Sequence, residues 1–305
     1  MMMSEPRNFT ALRGTLARDV PLARHTSWRC GGPGDRVYVP ADRDDLAAFM
    51  RQLPKDEPVT VIGLGSNLLI RDGGIRGTVI VLHAALNALE RREARVYAEA
   101  GVASPKVARF AAAQGLAGAE FLAGIPGTVG GALAMNAGCY GGETWQFVAQ
   151  VEVVTRGGDI EERTPAEYAI GYRSVRRADG GVPDDIFSAA WFDFQEGDSQ
   201  AARERIAELL RRRNATQPLN LPNAGSVFRN PAGDHAARLI ESCGLKGYAV
   251  GGARVSEKHA NFIVNPQGRA EAADIESIIA HVRETVRART GVELEPEVQV
   301  IGERA

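Results

Sequence analysis

Apolar residues recur at helical spacing in two clear stretches of the chain. The first lies between Asp42, a candidate N-cap, and Pro54, which cannot continue a helix. Its apolar positions are Leu46, Phe49, Met50 and Leu53. The second runs from 271 to 289, and its apolar positions are Ile275, Ile278, Ile279, Val282 and Val286. Shorter helices are predicted over 104–114, with Ser104 as N-cap, over 200–213 and over 236–242.

Short apolar or alternating runs between the helices predict β-strands. They lie at 36–39, 59–64, 78–82, 95–100, 148–155, 160–163, 186–194, 261–264 and 292–301. The turn Gly157-Gly158-Asp159 separates two of these runs and predicts a hairpin. Residues 168–174 are predicted to form a loop, and residues 1–20, which carry no period, a loose arm. No internal repeat or low-complexity tract is visible.

Glycine is concentrated in residues 118–142, which hold eight of the 34 glycines in the 305-residue chain, where an even distribution would place about three. The residues between them are largely apolar, which indicates buried backbone. Such backbone can bring its N–H groups close to a phosphate or a flat ring, because glycine has no Cβ. The alternative is a tightly packed turn region without a ligand. A second glycine-containing segment, 63–69, favours the ligand.

Composition excludes several classes of function. The 36 Lys and Arg residues nearly balance the 38 Asp and Glu residues, which gives no support for a nucleic-acid or membrane-surface partner. The three cysteines are far apart, which fits neither a disulfide framework nor a zinc site and suits a reducing cytosol. The five histidines lack ligand spacing, so no metal is predicted. No apolar run approaches the length of a membrane span, and we expect a soluble intracellular protein.

Seven short motifs follow one another from about residue 20 to the end of the chain. They are HTSWRCGGP (25–33), GLGSNLL (63–69), GIPGTVGGA (124–132) with MNAGCYGGE (135–143), GYRS (171–174), NAGSVFRNP (223–231), LKGYAVGGARVSEKHANFIVN (245–265) and LEPEV (294–298). Together they resemble the UDP-N-acetylenolpyruvoylglucosamine reductase family, in its shorter form. Members of this family are flavoenzymes that make UDP-N-acetylmuramate for bacterial cell-wall synthesis.

The resemblance implies an α+β fold. An FAD-binding domain of the vanillyl-alcohol-oxidase / p-cresol methylhydroxylase type, in two lobes, would precede a C-terminal α+β substrate-binding domain. In this chain the lobes would cover 1–84, with 298–305 as a candidate closing strand, and 85–216, and the substrate domain would cover 217–297. A change of composition at Gln217-Pro218 indicates a boundary at the same place.

The resemblance also implies the ligands and the cellular setting. They are non-covalent FAD, NADPH as co-substrate and UDP-N-acetylglucosamine-enolpyruvate as substrate. It implies a cytoplasmic enzyme of peptidoglycan precursor synthesis, and hence of cell shape and division. No nucleic acid, membrane or obligate protein partner is expected.

Reduction of an enolpyruvyl ether adds hydride to the terminal carbon of an α,β-unsaturated carboxylate, so negative charge develops on the adjacent carbon and its carboxylate. The site therefore needs a hydride donor, a group that holds the enolate, and a proton donor. The resemblance makes FAD the hydride donor, Ser226 the proton donor, and Arg173 with Glu297 the stabilising pair. Taken singly, these residues could be a surface arginine, a turn serine and an edge-strand glutamate. Glu295 is predicted on the same strand face as Glu297.

The other site residues are also assigned by the resemblance. The cofactor-binding residues are Gly31, Gly32, Gly63, Gly65, Ser66, Asn67, Leu68, Gly124, Ile125, Pro126, Gly127, Thr128, Gly130, Gly131, Ala132 and Asn136. The substrate-binding residues are Tyr140, Tyr172, Arg229, Asn230 and His259. For Tyr140 and His259, the alternatives are ordinary packing and a surface loop position.

Two positions depart from the family pattern. Arg229 stands where the family commonly has lysine, and Gln299 where many members have arginine. The second departure puts one contact to an anionic substrate in doubt. Two other functions fit the glycine segments: a flavin oxidase or dehydrogenase acting on an alcohol or lactone, and a flavin-binding protein without turnover. The joint presence of Arg173, Ser226 and Glu297 favours the reductase.

Overall fold

The computed structural model describes residues 9–83, 85–180 and 185–305. The α-helices of this part are α1 Arg43–Gln52, α2 Ser104–Ala113, α3 Val129–Ala134, α4 Ser199–Thr216, α5 Ala236–Ser242 and α6 Ala272–Thr290. Short 3₁₀ turns lie at Leu22–His25, Glu120–Gly124, Thr144–Gln146 and Pro165–Glu167. None of these described helices combines the length and apolar character needed to cross a membrane.

The helix boundaries follow from local chemistry. Asp42 caps α1, as predicted, since its Oδ1 accepts a hydrogen bond from the backbone N of Asp45 at 2.9 Å. At α2 the prediction is wrong by one residue, because Ala103 is the N-cap and Ser104 is already helical. The predicted apolar face of α6 is buried, and Gly291, with a φ of +74°, ends that helix in a left-handed conformation.

The N-terminal strands are β1 Thr15–Pro21, β2 Pro33–Val39, β3 Val59–Ile62, β4 Leu68–Ile70 and β5 Ile75–Val81. Four of them form a sheet in the order β1-β2-β5-β3, in which β1 is antiparallel to β2 and the other neighbours are parallel. Strand β1 corrects the expectation of a loose arm over 1–20, of which 1–8 lie outside the described residues. It is a largely exposed edge strand held by backbone pairing, so its sequence needs no apolar period.

The central strands are β6 Leu89–Arg92, β7 Arg95–Glu99, β8 Leu116–Ala117, β9 Gly138–Cys139, β10 Gly142–Glu143, β11 Val148–Val154, β12 Ile160–Arg163, β13 Tyr168–Gly171, β14 Ser174–Arg177, β15 Ile186–Phe192 and β16 Gln195–Glu196. An antiparallel sheet has the order β12-β11-β15-β7-β6, and its β11–β12 hairpin confirms the prediction from the Gly157-Gly158-Asp159 turn. The predicted loop over 168–174 is wrong, since strands β13 and β14 form a second hairpin there.

The C-terminal strands are β17 Ala249–Val250, β18 Ala253–Val255, β19 Ile263–Val264 and β20 Gln299–Ile301. The first three form a small antiparallel sheet that shares a core with α5 and α6. Strand β20 is shorter than the predicted 292–301 and pairs in parallel with β4, which returns the chain end to the N-terminal part. Trp28 also joins the two parts, because its Nε1 donates a hydrogen bond to the carbonyl of Ile263 at 2.7 Å.

Candidate active site

A cleft of about 370 Å³ is bordered by three parts of the chain: the segment after β3, the glycine-rich segment around α3, and the C-terminal part. The predicted cofactor residues that line it are Gly63, Gly65, Ser66, Asn67, Leu68, Gly124, Ile125, Pro126, Gly127, Thr128, Gly131 and Ala132. The predicted catalytic residues Arg173, Ser226 and Glu297 line the same cleft. The fold therefore brings three residues that are far apart in the sequence to one ligand-sized space.

Glycine is required in these walls because other atoms approach the backbone closely. A Cβ at Gly124 would lie 2.5 Å from Sγ of Cys139, and a Cβ at Gly63 would come closer than 3.0 Å to Oγ1 of Thr128. Gly65 has a φ of +59°, in the left-handed region that favours glycine. The walls thus present backbone instead of side chains, as the concentration of glycine predicts.

Arg173 stands at the tip of the β13–β14 hairpin. Gly171 pairs with Ser174, so Tyr172 and Arg173 form a two-residue turn, and Arg173 has a φ of +52°. Its Nη2 lies 2.6 Å from Oε1 of Glu297. Its Nε is buried and has no hydrogen-bond partner within the described residues. One donor of the guanidinium therefore holds Glu297, while another is left for a ligand.

The structure separates Glu297 from Glu295. The Glu297 side chain is 8% exposed and faces Arg173, whereas the Glu295 side chain is 74% exposed. Between them, Pro296 bridges to Phe228, and the backbone N of Glu297 donates to the carbonyl of Val227 at 2.7 Å. The segment that carries both glutamates pairs with residues 227–229 and joins β20 only at Gln299, so the two differ in burial, while their shared strand face stays a prediction.

Ser226 enters the cleft through a turn. The side chain of Asn223 shapes this turn, since its Oδ1 accepts a hydrogen bond from the backbone N of Gly225 at 2.9 Å. Gly225 has a φ of +75°. The next residue, Val227, is fully buried and its carbonyl accepts from Glu297, so Ser226 and Glu297 are fixed by the same short stretch of backbone.

Two of the predicted substrate residues, Tyr172 and Arg229, lie together near Arg173 and Glu297. We call this pair the rim. The Cζ atoms of Arg173 and Arg229 lie 5.9 Å and 5.8 Å from the ring centre of Tyr172. The Tyr172 hydroxyl lies 3.5 Å from Oε2 of Glu297, and partial burial, together with this carboxylate, raises the pKa of Tyr172. The Nε of Arg229 is also buried without a partner among the described residues. The rim therefore suits an anionic ligand.

The remaining predicted cofactor residues are not brought to the cleft. A Cβ at Gly31 would lie 2.7 Å from the carbonyl oxygen of Ile70, and one at Gly32 would overlap the carbonyl of Asp72, so these glycines serve chain packing. Gly130 lines a smaller adjoining cavity of about 190 Å³. Asn136 is buried and is absent from the cleft lining.

None of the five predicted substrate residues belongs to the cleft lining, and three of them make structural contacts instead. The Tyr140 hydroxyl donates to the carbonyl of Leu209 at 2.9 Å, which is the packing role given as its alternative. Oδ1 of Asn230 accepts from the backbone N of Ala236, at 3.1 Å, at the start of α5. The His259 ring packs against Phe262, and burial lowers the pKa of this histidine. Their side chains stabilise the structure around the site.

Arg213, which no motif of the sequence indicated, also lines the cleft. Its Nε donates to Oε1 of Gln217 at 2.9 Å, and burial lowers the pKa of its guanidinium. Its position could have been predicted from the helical period. The buried residues Ile206 and Leu209 precede Arg213 by seven and four positions, so all three lie on one face of α4.

Comparisons with known proteins identify the family. The sequence model of the FAD binding domain family matches residues 34–163, and that of the UDP-N-acetylenolpyruvoylglucosamine reductase C-terminal domain matches residues 217–301. The UDP-N-acetylenolpyruvoylglucosamine reductase of Nitrosospira multiformis is 57% identical over 97% of this chain and 91% of its own length. The chain belongs to the UDP-N-acetylenolpyruvoylglucosamine reductase family. It is therefore an FAD-containing oxidoreductase.

Other reductases of this family are similar to this chain in sequence and in structure. That of Thiobacillus denitrificans is 56% identical over 96% of this chain and 94% of its own length. The crystal structure of the reductase from Thermus caldophilus has a TM-score of 0.79 at 33% identity and covers 95% of this chain and 99% of that chain. The family resemblance and the α+β fold class predicted from the motifs are confirmed.

The cleft fits the FAD of this family. Two walls, 63–68 and 124–132, line the cleft, and a Cβ at Gly63 or Gly124 would collide with the side chain of Thr128 or Cys139, which also line it. Ser66, Asn67 and Thr128 add polar side chains at the same walls. These residues would hold the dinucleotide through N–H and hydroxyl groups. Within the described ranges, no group of three or more His, Cys, Asp or Glu side chains is placed to hold a metal ion.

Gly63→Ala is expected to weaken FAD binding by about tenfold or more, since overpacking a tight site costs roughly 1–3 kcal/mol. The added methyl group displaces Oγ1 of Thr128, which accepts from the backbone N of Gly131 at 3.5 Å and lines the cleft. Titration of apoprotein with FAD, followed by flavin fluorescence, measures the effect. Gly157→Ala is the control, because its Cβ meets Asp159 Oδ2 at an ordinary 3.5 Å. Equal FAD affinity in the two variants would contradict the wall assignment.

Proposed function

We propose that this chain reduces the enolpyruvyl group of UDP-N-acetylglucosamine-enolpyruvate to UDP-N-acetylmuramate, with NADPH as reductant, and that Arg173, Ser226 and Glu297 carry the reaction. Family membership supports the reaction, and the convergence of these three residues on one cleft supports their roles. FAD, when bound, supplies the hydride. The protein's own residues then have to hold the substrate carboxylate and deliver a proton.

Arg173 holds the developing negative charge. Its Nη2 is committed to Glu297, and its unpaired Nε is left to donate to the substrate carboxylate. A buried donor without an acceptor costs about 1–3 kcal/mol, so a ligand oxygen at this position is favoured. Glu297 keeps the guanidinium turned into the cleft, because the ion pair joins the hairpin tip to the segment before β20. This orphaned donor is the observation that best supports an anionic substrate.

Ser226 donates the proton to the carbon next to the carboxylate. It lines the cleft beside Glu297, and its turn is fixed by the hydrogen bond between Asn223 and Gly225. A serine hydroxyl is a weak acid, so the neighbouring guanidinium of Arg173 and the forming enolate have to polarise it. Positioning is then its main contribution, since a held hydroxyl replaces a randomly arriving water.

The nucleotide part of the substrate is proposed to lie at the rim. Tyr172 offers an exposed ring, and Arg229 has a buried Nε without a partner among the described residues. Arginine in place of the usual lysine keeps the charge and adds a planar fork suited to a phosphate. Arg213 adds a further cation to the cleft for a second anionic group. Gln299, also in the cleft lining, carries no charge where many members have arginine.

Rapid anaerobic mixing tests this function. Reduction by NADPH should bleach the flavin absorbance, and UDP-N-acetylglucosamine-enolpyruvate should restore it, with UDP-N-acetylmuramate as the product. Reoxidation by a simple alcohol or lactone instead would favour an oxidase or dehydrogenase of the same fold. Bleaching without any reoxidation by the enolpyruvate compound would overturn the proposal.

Non-covalent attachment of FAD is proposed with this function. Cys139 lines the cleft, but burial raises the pKa of its thiol, and a protonated thiol is a poor nucleophile for attachment to a flavin. Acid precipitation of the yellow protein should therefore release all of the flavin into the supernatant. Flavin that stays with the precipitate would contradict this prediction.

The proposal includes the domain division 1–84, 85–216 and 217–297. The two larger sheets fall into the first two segments and β17–β19 into the third, while β20 pairs with β4 of the first. We also propose that the enzyme is cytoplasmic. We propose that it acts in peptidoglycan precursor synthesis and so has a role in cell shape and division. NADPH and the nucleotide sugar are its small-molecule partners, without a protein, nucleic-acid or membrane partner.

A further inference from the structure

Asn136 lies after helix α3 and is 3% exposed, with a φ of +42°. Three hydrogen bonds hold its side-chain amide. Its Nδ2 donates to Oε2 of Glu143 at 2.9 Å and to the carbonyl oxygen of Gly171 at 3.3 Å. Its Oδ1 accepts from the backbone N of Trp145 at 3.2 Å. The amide is used for protein contacts, which leaves a cofactor little to bind.

The bond to Gly171 connects Asn136 to the active site. Gly171 ends β13, directly before the Tyr172-Arg173 tip. It is exposed, and a Cβ there would meet nothing within 4 Å, so packing on this side does not fix the tip. At the base of the hairpin, in contrast, Tyr168 is buried in the core. The base is therefore held by packing, and the tip by polar contacts.

We infer that Asn136 is a positioning residue for Arg173: its amide ties the tip of the β13–β14 hairpin to the end of α3 and keeps the guanidinium beside Glu297. Glu143 orients the amide, because a carboxylate accepts only from Nδ2 and so turns that group toward Gly171. This inference rests on the proposed role of Arg173. It replaces the cofactor contact expected for Asn136.

Asn136→Asp tests the inference. One oxygen of the new carboxylate would keep the backbone N of Trp145 as donor, but the other would face the Glu143 carboxylate and the Gly171 carbonyl without a donor among the three, so the tip should move away. A misplacement of about 1 Å can cost about 100-fold in rate, and we expect flavin reoxidation by the enolpyruvate substrate to fall about 10- to 100-fold. Flavin reduction by NADPH should change less than about twofold, because the enolate charge held by Arg173 does not arise in that half-reaction.

A second substitution separates positioning from general destabilisation. In Asn136→Asp combined with Glu143→Gln, the glutamine can donate to the new carboxylate and restore the bond between 136 and 143. The Gly171 carbonyl still lacks its donor. The double variant should therefore regain most of the melting temperature lost by the single variant while its reoxidation stays slow. Glu143→Gln alone should keep near-parental rates, since the side-chain oxygen of the glutamine can accept from Nδ2 in place of the carboxylate and Asn136 can still bond Gly171.

The outcomes are distinct. Recovery of both the melting temperature and the reoxidation rate in the double variant would overturn the inference, as would equal losses in the two half-reactions. If the aspartate variant does not fold, Asn136→Ala, which adds no charge, should show the same selective loss of reoxidation, and parental reoxidation in it would overturn the inference. Parent protein that the substrate cannot reoxidise would overturn the proposed function itself.

Discussion

Ser226→Ala is expected to lower turnover by about 10²–10⁴-fold, the usual contribution of a positioned general acid. FAD binding and flavin reduction by NADPH should stay near the parental values. The enolate needs its proton only after hydride has been added, and water is a poorly positioned replacement for a serine hydroxyl in the lining of the cleft. Stopped-flow measurement of the two half-reactions separates these steps, with the loss confined to reoxidation by the substrate.

Ser226→Cys provides the matched variant. A thiol keeps a transferable proton, so this variant should retain more activity than alanine does, in the order serine, cysteine, alanine. Asn223, which shapes the turn before Ser226, is untouched in both variants, so the turn geometry should persist. An alanine variant with near-parental turnover would show that Ser226 is only a turn residue.

Arg173→Lys is expected to slow flavin reoxidation by about 10²–10³-fold, the typical loss of one electrostatic contact to a developing oxyanion. The guanidinium bonds Glu297 through Nη2 and has its Nε left for the substrate, and one ammonium group cannot take both positions. Flavin reduction by NADPH should change far less, since no enolate forms in that step.

Arg176→Lys is the control for this experiment. Arg176 lies on β14 of the same hairpin, but it is exposed and outside the cleft lining. Its replacement should leave both half-reactions unchanged. Equal damage to both half-reactions in Arg173→Lys would point to a role of Arg173 in folding or in the flavin site instead of in enolate stabilisation.

Local sequence was sufficient for much of the fold. The apolar spacing of α1 and α6 and the cap at Asp42 predicted these helices to within about two residues. The Gly157-Gly158-Asp159 turn predicted the β11–β12 hairpin. These elements can be predicted because each depends on residues that are close together in the sequence. The family was also evident from the sequence, since seven ordered motifs are specific even where each alone is weak.

Side-chain direction and long-range pairing could not be predicted in the same way. Glu295 and Glu297 are alike in sequence, and only the structure shows that the Glu295 side chain is exposed while the Glu297 side chain is buried against Arg173. Segment 168–177 has no strong strand pattern, because its hairpin is largely exposed and is held by backbone pairing. Asn136 matched a cofactor motif, but the approach of Gly171 makes its amide a structural connection.

The sequence by itself therefore determined the family, since ordered motifs carry that information, and through the resemblance it indicated the glycine-rich segments as candidate cofactor walls and Arg173, Ser226 and Glu297 as candidate catalytic residues. Tertiary structure alone decided which predicted residues line the cleft. It gave Gly31, Gly32 and Tyr140 packing roles, gave Asn136 hydrogen bonds within the protein, and added Arg213 to the lining. The physical reason is that a cleft forms between segments distant in the chain. Which residues line it depends on contacts between these distant segments, and a local sequence pattern contains no information about such contacts.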